Sequence, residues 1–145
     1  MGQFRQITRT VSLDATGGAN DTLRTWDAPT GSPLRQISII LSTRGIVTAA
    51  GNLDWEVFYG GVWAGTPFAT ASTHSGGVSQ GSGSIAGSAE VLNAVHNTTN
   101  LIPINNPNAP NDNGGFPVVI ELTNNKASAV VVYVTFLSET INTNV

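Results

Sequence analysis

The stretch Phe116-Pro117-Val118-Val119-Ile120-Glu121-Leu122-Thr123, followed after Asn124-Asn125-Lys126 by Ala127-Ser128-Ala129-Val130-Val131-Val132-Tyr133-Val134-Thr135-Phe136-Leu137, decides the fold class. In the first run Phe116, Val118, Ile120 and Leu122 alternate with Pro117, Val119, Glu121 and Thr123, the period-two signature of a strand with one buried face. The second run is β-branched and aromatic almost throughout, the composition of a central strand covered on both faces. Thr123-Asn124-Asn125-Lys126 is a polar turn of hairpin length, so the two runs are expected to pair with each other.

Working outward, Leu53, Trp55, Val57 and Tyr59 alternate with Asn52, Asp54, Glu56 and Phe58. Arg35 to Thr43 places Ile37, Ile39 and Leu41 on one side. Weaker strands are expected at Gln3 to Leu13, with Ile7, Val11 and Leu13 inward, at Gly45 to Ala50 and around Val62 to Ala69. Many short strands of this kind predict one all-β domain over 1–145, an antiparallel β-sandwich or jelly-roll-like barrel. At most one short helix fits, capped by Ser88 with Val91, Leu92 and Val95 as its apolar stripe and ending near Asn97. Three stretches carry no strand pattern: 14–33, the Gly/Ser-rich 71–87, and 97–115 with its seven asparagines and three prolines. Structureless loops this long are uncommon in compact domains, and here they are expected to be ordered interaction arms, together with the N-terminal segment.

The chain has 145 residues and no cysteine, which removes disulfide scaffolds, thiolate zinc sites and Cys nucleophiles. A chain of this size buries about two-thirds of its unfolded surface, enough for one ordinary core. Charged residues make up only 10%, against about a quarter in typical domains. A surface of Asn, Thr, Ser and Gly suits dense assembly, where like charges would oppose packing, and equally suits a neutral coat on an exposed domain. Net charge is -3, with Lys126 as the single lysine and five arginines, of which Arg5 and Arg9 share an N-terminal segment while Arg24, Arg35 and Arg44 are scattered. Nucleic-acid binding needs a clustered basic face, and none is expected. No apolar run reaches the roughly 20 residues of a membrane span. Met1 to Gln6 turns polar at once, so synthesis in a cytoplasm without a cleaved signal is expected.

Motifs for chemistry are weak. Gly77-Val78-Ser79-Gln80-Gly81 fits the G-x-S-x-G nucleophile pattern, but sits in a run where Gly and Ser abound and no βαβ framework surrounds it. His74 and His96 lack metal-ligand spacing; the first reads as a polar loop residue and the second as the helix end. Asn111-Asp112-Asn113-Gly114-Gly115 lacks the alternating acids of a calcium loop. No phosphate-binding glycine loop is present. Asp54 and Glu56 share a strand face about 6.5–7 Å apart, a spacing that glycoside hydrolysis uses and that a solvated face equally explains. The expectation is a protein that is not an enzyme, with no catalytic, cofactor or metal residues. Trp55 and Tyr59 read as core, whereas Trp26 and Trp63, placed in loops, are free to anchor contacts.

The two C-terminal runs look like the hairpins of small β-rich virion proteins of tailed phages, including capsid decoration (cement) proteins. Low lysine, abundant Asn, Thr, Gly and Ala, and missing cysteine are similar too. The resemblance implies a structural subunit on the virion's capsid surface, binding major capsid protein subunits and stabilising the icosahedral shell, and forming homo-oligomers, commonly trimers. Under it, Arg5 and Arg9 pair with acidic rims of the shell, and Trp26, Trp63, Leu101 and Ile102 anchor loops. A carbohydrate- or receptor-binding module of a phage fibre or bacterial surface is the competing expectation, with an aromatic platform near Trp26 and Trp63. A tail-tube or neck subunit is a third.

Overall fold

The computed structural model describes residues 4–27, 34–64, 73–98 and 118–140. They form ten strands: β1 (Phe4–Leu13), β2 (Thr22–Asp27), β3 (Leu34–Thr43), β4 (Asn52–Tyr59), β5 (Val62–Ala64), β6 (Thr73–Ser75), β7 (Val78–Ala86), β8 (Asn93–Thr98), β9 (Val118–Asn124) and β10 (Val130–Thr140). One sheet runs β1-β10-β3-β8, a second runs β2-β9-β4-β7, and β5-β6 is a separate ribbon. Every pairing is antiparallel. The chain changes sheet at every step except β4 to β7, which are neighbours joined through the ribbon. Two interleaved four-stranded sheets wound in this way are a jelly-roll sandwich.

The core lies between the sheets. Val130, Val132, Val134 and Phe136 of β10 face Leu53 and Val57 of β4 and Ile120 and Leu122 of β9, with Val11, Leu13, Ile39 and Leu41 completing the cluster. Each fully buried Val, Leu, Ile or Phe contributes about 1.5–3 kcal/mol, which gives these strands their register.

The hairpin expected of β9 and β10 is not formed. The two belong to different sheets, and Asn125 to Ala129 arches across the sandwich. Asn124 holds the arch: its Nδ2 donates to Asp14 O (2.9 Å) and Ser128 O (2.8 Å). Lys126, read as a turn residue, is 0% exposed and its Nζ donates to Ala49 O (3.1 Å), Gly51 O (2.6 Å) and Gly87 O (2.7 Å). One ammonium thus gathers the β3–β4 and β7–β8 connections around the arch. β10 alternates buried and accessible positions, so it is covered on one face and not on the expected two. β9 keeps the expected alternation, with Val118, Ile120 and Leu122 buried and Glu121 and Thr123 half-buried, and its outer face is covered only at Val119.

The Ser88–Asn97 helix is replaced by a turn and an edge strand. Ala89 takes a φ of 59°, off the helical region, and Glu90 bridges to Val47. From Asn93 the chain pairs with β3, turning Ala94 inward and leaving Val95 outside. Gly45 to Ala50 contributes only that Val47 bridge instead of a strand. Two of the expected arms contain strands: β2 lies within 14–33, and β6 and β7 lie within 71–87. Of the third arm, only Asn97 and Thr98 belong to the described residues, as the end of β8.

Candidate functional site

Each sheet has an outer face, and the two differ in charge. On the first sheet, the residues alternating with the core positions are Phe4, Gln6, Thr8, Thr10 and Ser12 on β1, and Val131, Tyr133, Thr135, Leu137 and Glu139 on β10. Ser38, Ile40 and Ser42 of β3 and Asn93, Val95 and Asn97 of β8 extend the same rows. Among the described side chains of this face Glu139 carries the one charge. Thr8 and Thr135 hydroxyls are 3.0 Å apart, and Ser38 Oγ donates to Asn97 Oδ1 at 2.6 Å. Phe4 (86% exposed), Val95 (56%) and Tyr133 (37%) stand out to solvent. A groove of about 480 Å³ lies along Phe4, Gln6, Ser38, Leu137 and Glu139. A neutral surface combining β-branched, aromatic and hydroxyl groups is the composition of a contact patch: apolar area to bury, hydroxyls for a few hydrogen bonds, and almost no charge to desolvate.

The second sheet is polar outside. Glu121 stands opposite Glu56, and Asp54 stands between Thr123 and Ser84. A cleft of about 550 Å³ runs along this row, lined also by Asn52, Ser82 and Gly83. Each carboxylate already has a neighbour. Glu121 Oε2 accepts from Arg24 Nε at 2.7 Å, Glu56 Oε2 from Ser79 Oγ at 2.7 Å, and Asp54 from Ser84 Oγ and from Asn125 Nδ2 (2.6 Å). Ser79 therefore sits at the start of β7, donating to a carboxylate, and not at the strand-to-helix turn of a nucleophile elbow. Among the described residues no group of three or more His, Asp or Glu is arranged to hold a metal ion. The row can offer hydroxyls and carboxylates to a polyhydroxylated ligand.

At one end of this face the polarity changes. Trp26, Val119 and Phe58 form one cross-strand row, with the Arg24 guanidinium 4.3 Å above the Phe58 ring. His74, on β6, packs against Trp26 with ring centroids 5.9 Å apart. His74 is buried, contrary to its reading as a loop residue. His96, expected at a helix end, lies on β8 with its ring edge-on to Trp55 at 5.5 Å. Burial pushes both imidazoles below the ordinary histidine value; for His74 the Gly60 hydrogen bond opposes this and the Arg24 charge adds to it.

The residues expected to make contacts are placed differently from one another. Trp26 is not a loop anchor: it lies on β2 and is 1% exposed. Arg5 does not reach outward; Nη1 and Nη2 each donate to an Asp27 carboxylate oxygen at 2.9 Å, joining β1 to β2. Arg9 points the same way, where burial lowers its pKa and Asp27 raises it. The two parallel bonds of Arg5 to Asp27 make a bidentate arginine–carboxylate pair, the strong form of such a contact. Trp63 lies on β5, its side chain outside the described residues, as are Leu101 and Ile102. The neutral outer face went unnoticed because its residues are the alternate members of strands read for their core positions. The Arg24–His74 contact has no local signal, since 50 residues separate the partners.

No protein-family model matches the chain, and no curated protein matches it in sequence.

Proposed function

We propose that the protein is a structural virion subunit of the capsid-decoration (cement) kind, which docks on major capsid protein subunits and stabilises the shell of a tailed phage. The observation that carries this reading is the outer face of β1-β10-β3-β8, a sheet surface with Phe4, Tyr133, Val95, Leu137 and Ile40 among hydroxyl side chains and, among the described side chains, Glu139 alone charged. Such a face buries apolar area on a partner at little desolvation cost. Jelly-roll sandwiches serve viral capsids, which agrees with the reading at the level of fold, and they serve lectins equally. Binding to the assembled shell alone favours it by mass action. On this reading the protein acts as a homo-oligomer, a trimer on the resemblance.

The test uses shells lacking the protein. Added protein should bind and raise their melting temperature. Val95→Asp and Tyr133→Asp, each placing a charge on the neutral face, should fold normally and lose binding by at least about a hundredfold, as buried unpaired charge costs several kcal/mol. Failure of the wild type to bind shells, or full binding by both variants, would overturn it.

A second reading rests on a separate observation, the hydroxyl–carboxylate row of the second sheet. It is the binding of a glycan by Asp54, Glu56, Ser82 and Ser84. Burial of Trp26 removes one of the two rings expected to form its aromatic platform. Glycan binding abolished by Asp54→Ala, with no shell binding, would select it.

A further inference from the structure

We propose that His74 is a pH-operated latch: while neutral it holds β6 against the second sheet, and on protonation it lets β6 go and uncovers Trp26. The proposal goes beyond the docking function and does not depend on it.

Trp26 and Val119 are fully buried, yet neither belongs to the cluster between the sheets. They lie on the opposite face, where His74 packs on the indole. Two bonds hold the ring. Nε2 lies 2.9 Å from Gly60 O, and Nδ1 lies 3.1 Å from Arg24 Nη1. A guanidinium only donates, so Nδ1 must accept, and the ring's single proton must sit on Nε2, donated to the Gly60 carbonyl. This is one tautomer of the neutral imidazole. A second proton has no site but Nδ1, where it would point at the Arg24 N–H and set cation against cation.

Arg24 cannot easily withdraw. Its Nε donates to Glu121 at 2.7 Å, its Nη1 also donates to Gly76 O at 3.0 Å, and its plane lies over Phe58. The ring is equally confined on its other side. Gly61 has a φ of +93°, and a Cβ there would stand 2.7 Å from His74 Nε2. Among the described residues, the charged groups around the latch are Arg24 of β2 and, through Arg24, Glu121 of β9 and its neighbour Glu56 of β4. Asp27 of β2 turns inward to Arg5. Glu121 binds the guanidinium and not the ring, so it does not rescue an imidazolium.

Burial depresses the His74 pKa in the latched form. Released, the ring returns to about 6.5. The latched form is therefore favoured above that value and loses ground as pH falls toward its own lower one. Opening presents Trp26 beside Phe58 and Val119, an apolar patch offered only under acid conditions.

Hydrogen exchange of the intact protein at pH 7.5 and 5.0, corrected for intrinsic rates, tests this. Residues 73–78 should lose protection severalfold at pH 5.0 while β2, β9 and β10 keep theirs. His74→Gln can accept from Arg24 and donate to Gly60 without titrating, so its protection should not change with pH. His96→Gln should respond like the wild type. A wild type equally protected at both pH values, or a His74→Gln variant that still responds, would overturn the latch. Should His74→Gln fail to fold, an NMR titration decides: a protonated His74 with β6 still protected refutes it.

Discussion

Gly83 lies on β7 opposite Trp55, and a Cβ on it would stand 2.5 Å from the indole Cζ2. The ring fills the space a side chain would need, so Gly83→Ala should destabilise by about 1–3 kcal/mol through overpacking, read as a lower urea midpoint with an unchanged slope. Lys126 makes the opposite kind of contribution. Its Nζ serves three backbone carbonyls, and Lys126→Met would remove that donor from all of them. Charge-assisted bonds of this kind contribute about 1.5–3 kcal/mol each and do not add fully. We expect a loss of about 3–5 kcal/mol in chemical denaturation, large against the stability of an ordinary domain. Little loss would mean that water replaces the ammonium.

At the scale of elements, the edge strand β1 is held to β2 by Arg5 on Asp27, with Arg9 nearby. Inward-pointing charge also guards an edge strand against pairing with another chain. Removing the shared carboxylate leaves two guanidinium groups close together, so Asp27→Asn should cost about 2–3 kcal/mol. Arg5→Ala should cost less, because Arg9 still faces Asp27. Thermal melts of the two variants and the double mutant check that order. β7 shows how much of an element can be legible and still be missed. In Gly81-Ser82-Gly83-Ser84-Ile85-Ala86 the inward positions are Gly81, Gly83 and Ile85, a true period of two. The pattern hides because the inward glycines make room for His96 and Trp55, which arrive from other strands. β8 departs from its local pattern for the converse reason. Val91, Leu92 and Val95 suggest a helical stripe, but only Leu92 is buried, and β3 needed a partner at its edge.

At the scale of the whole molecule, burial lowers both His74 and His96, and a pH dependence of stability is expected from them. The unfolded chain takes up protons at about 6.5, and the folded one resists them. Stability should thus be full above about pH 6.5 and fall as pH drops through the lower folded values. Melting temperatures between pH 8 and 5 check the sign. A rise on acidification would contradict it, and the double variant His74→Gln/His96→Gln should flatten the curve. The same scale separates the two outer faces. Alternate winding of the chain between sheets collects the neutral residues of β1, β3, β8 and β10 on one side and Arg24, Asp54, Glu56 and Glu121 on the other.

The sequence by itself determined the class of fold. Alternation in β4, the β-branched run of β10 and the absence of any long helical stripe are local properties, written in consecutive residues. It also marked Leu53, Val57 and Tyr59 as core, since one strand's period suffices to choose its buried face. The tertiary structure alone decided which strands are neighbours. Pairing β10 with β1 and β3 instead of β9 depends on how both sheets close over a common core, a balance of many long-range contacts that no turn residue reports. The same balance took Trp26 and Lys126 out of solvent, turned Arg5 toward Asp27 and brought His74 to Arg24. Each of those side chains is polar or amphipathic, with partners distant in the chain, so its environment exists only once the sandwich has formed.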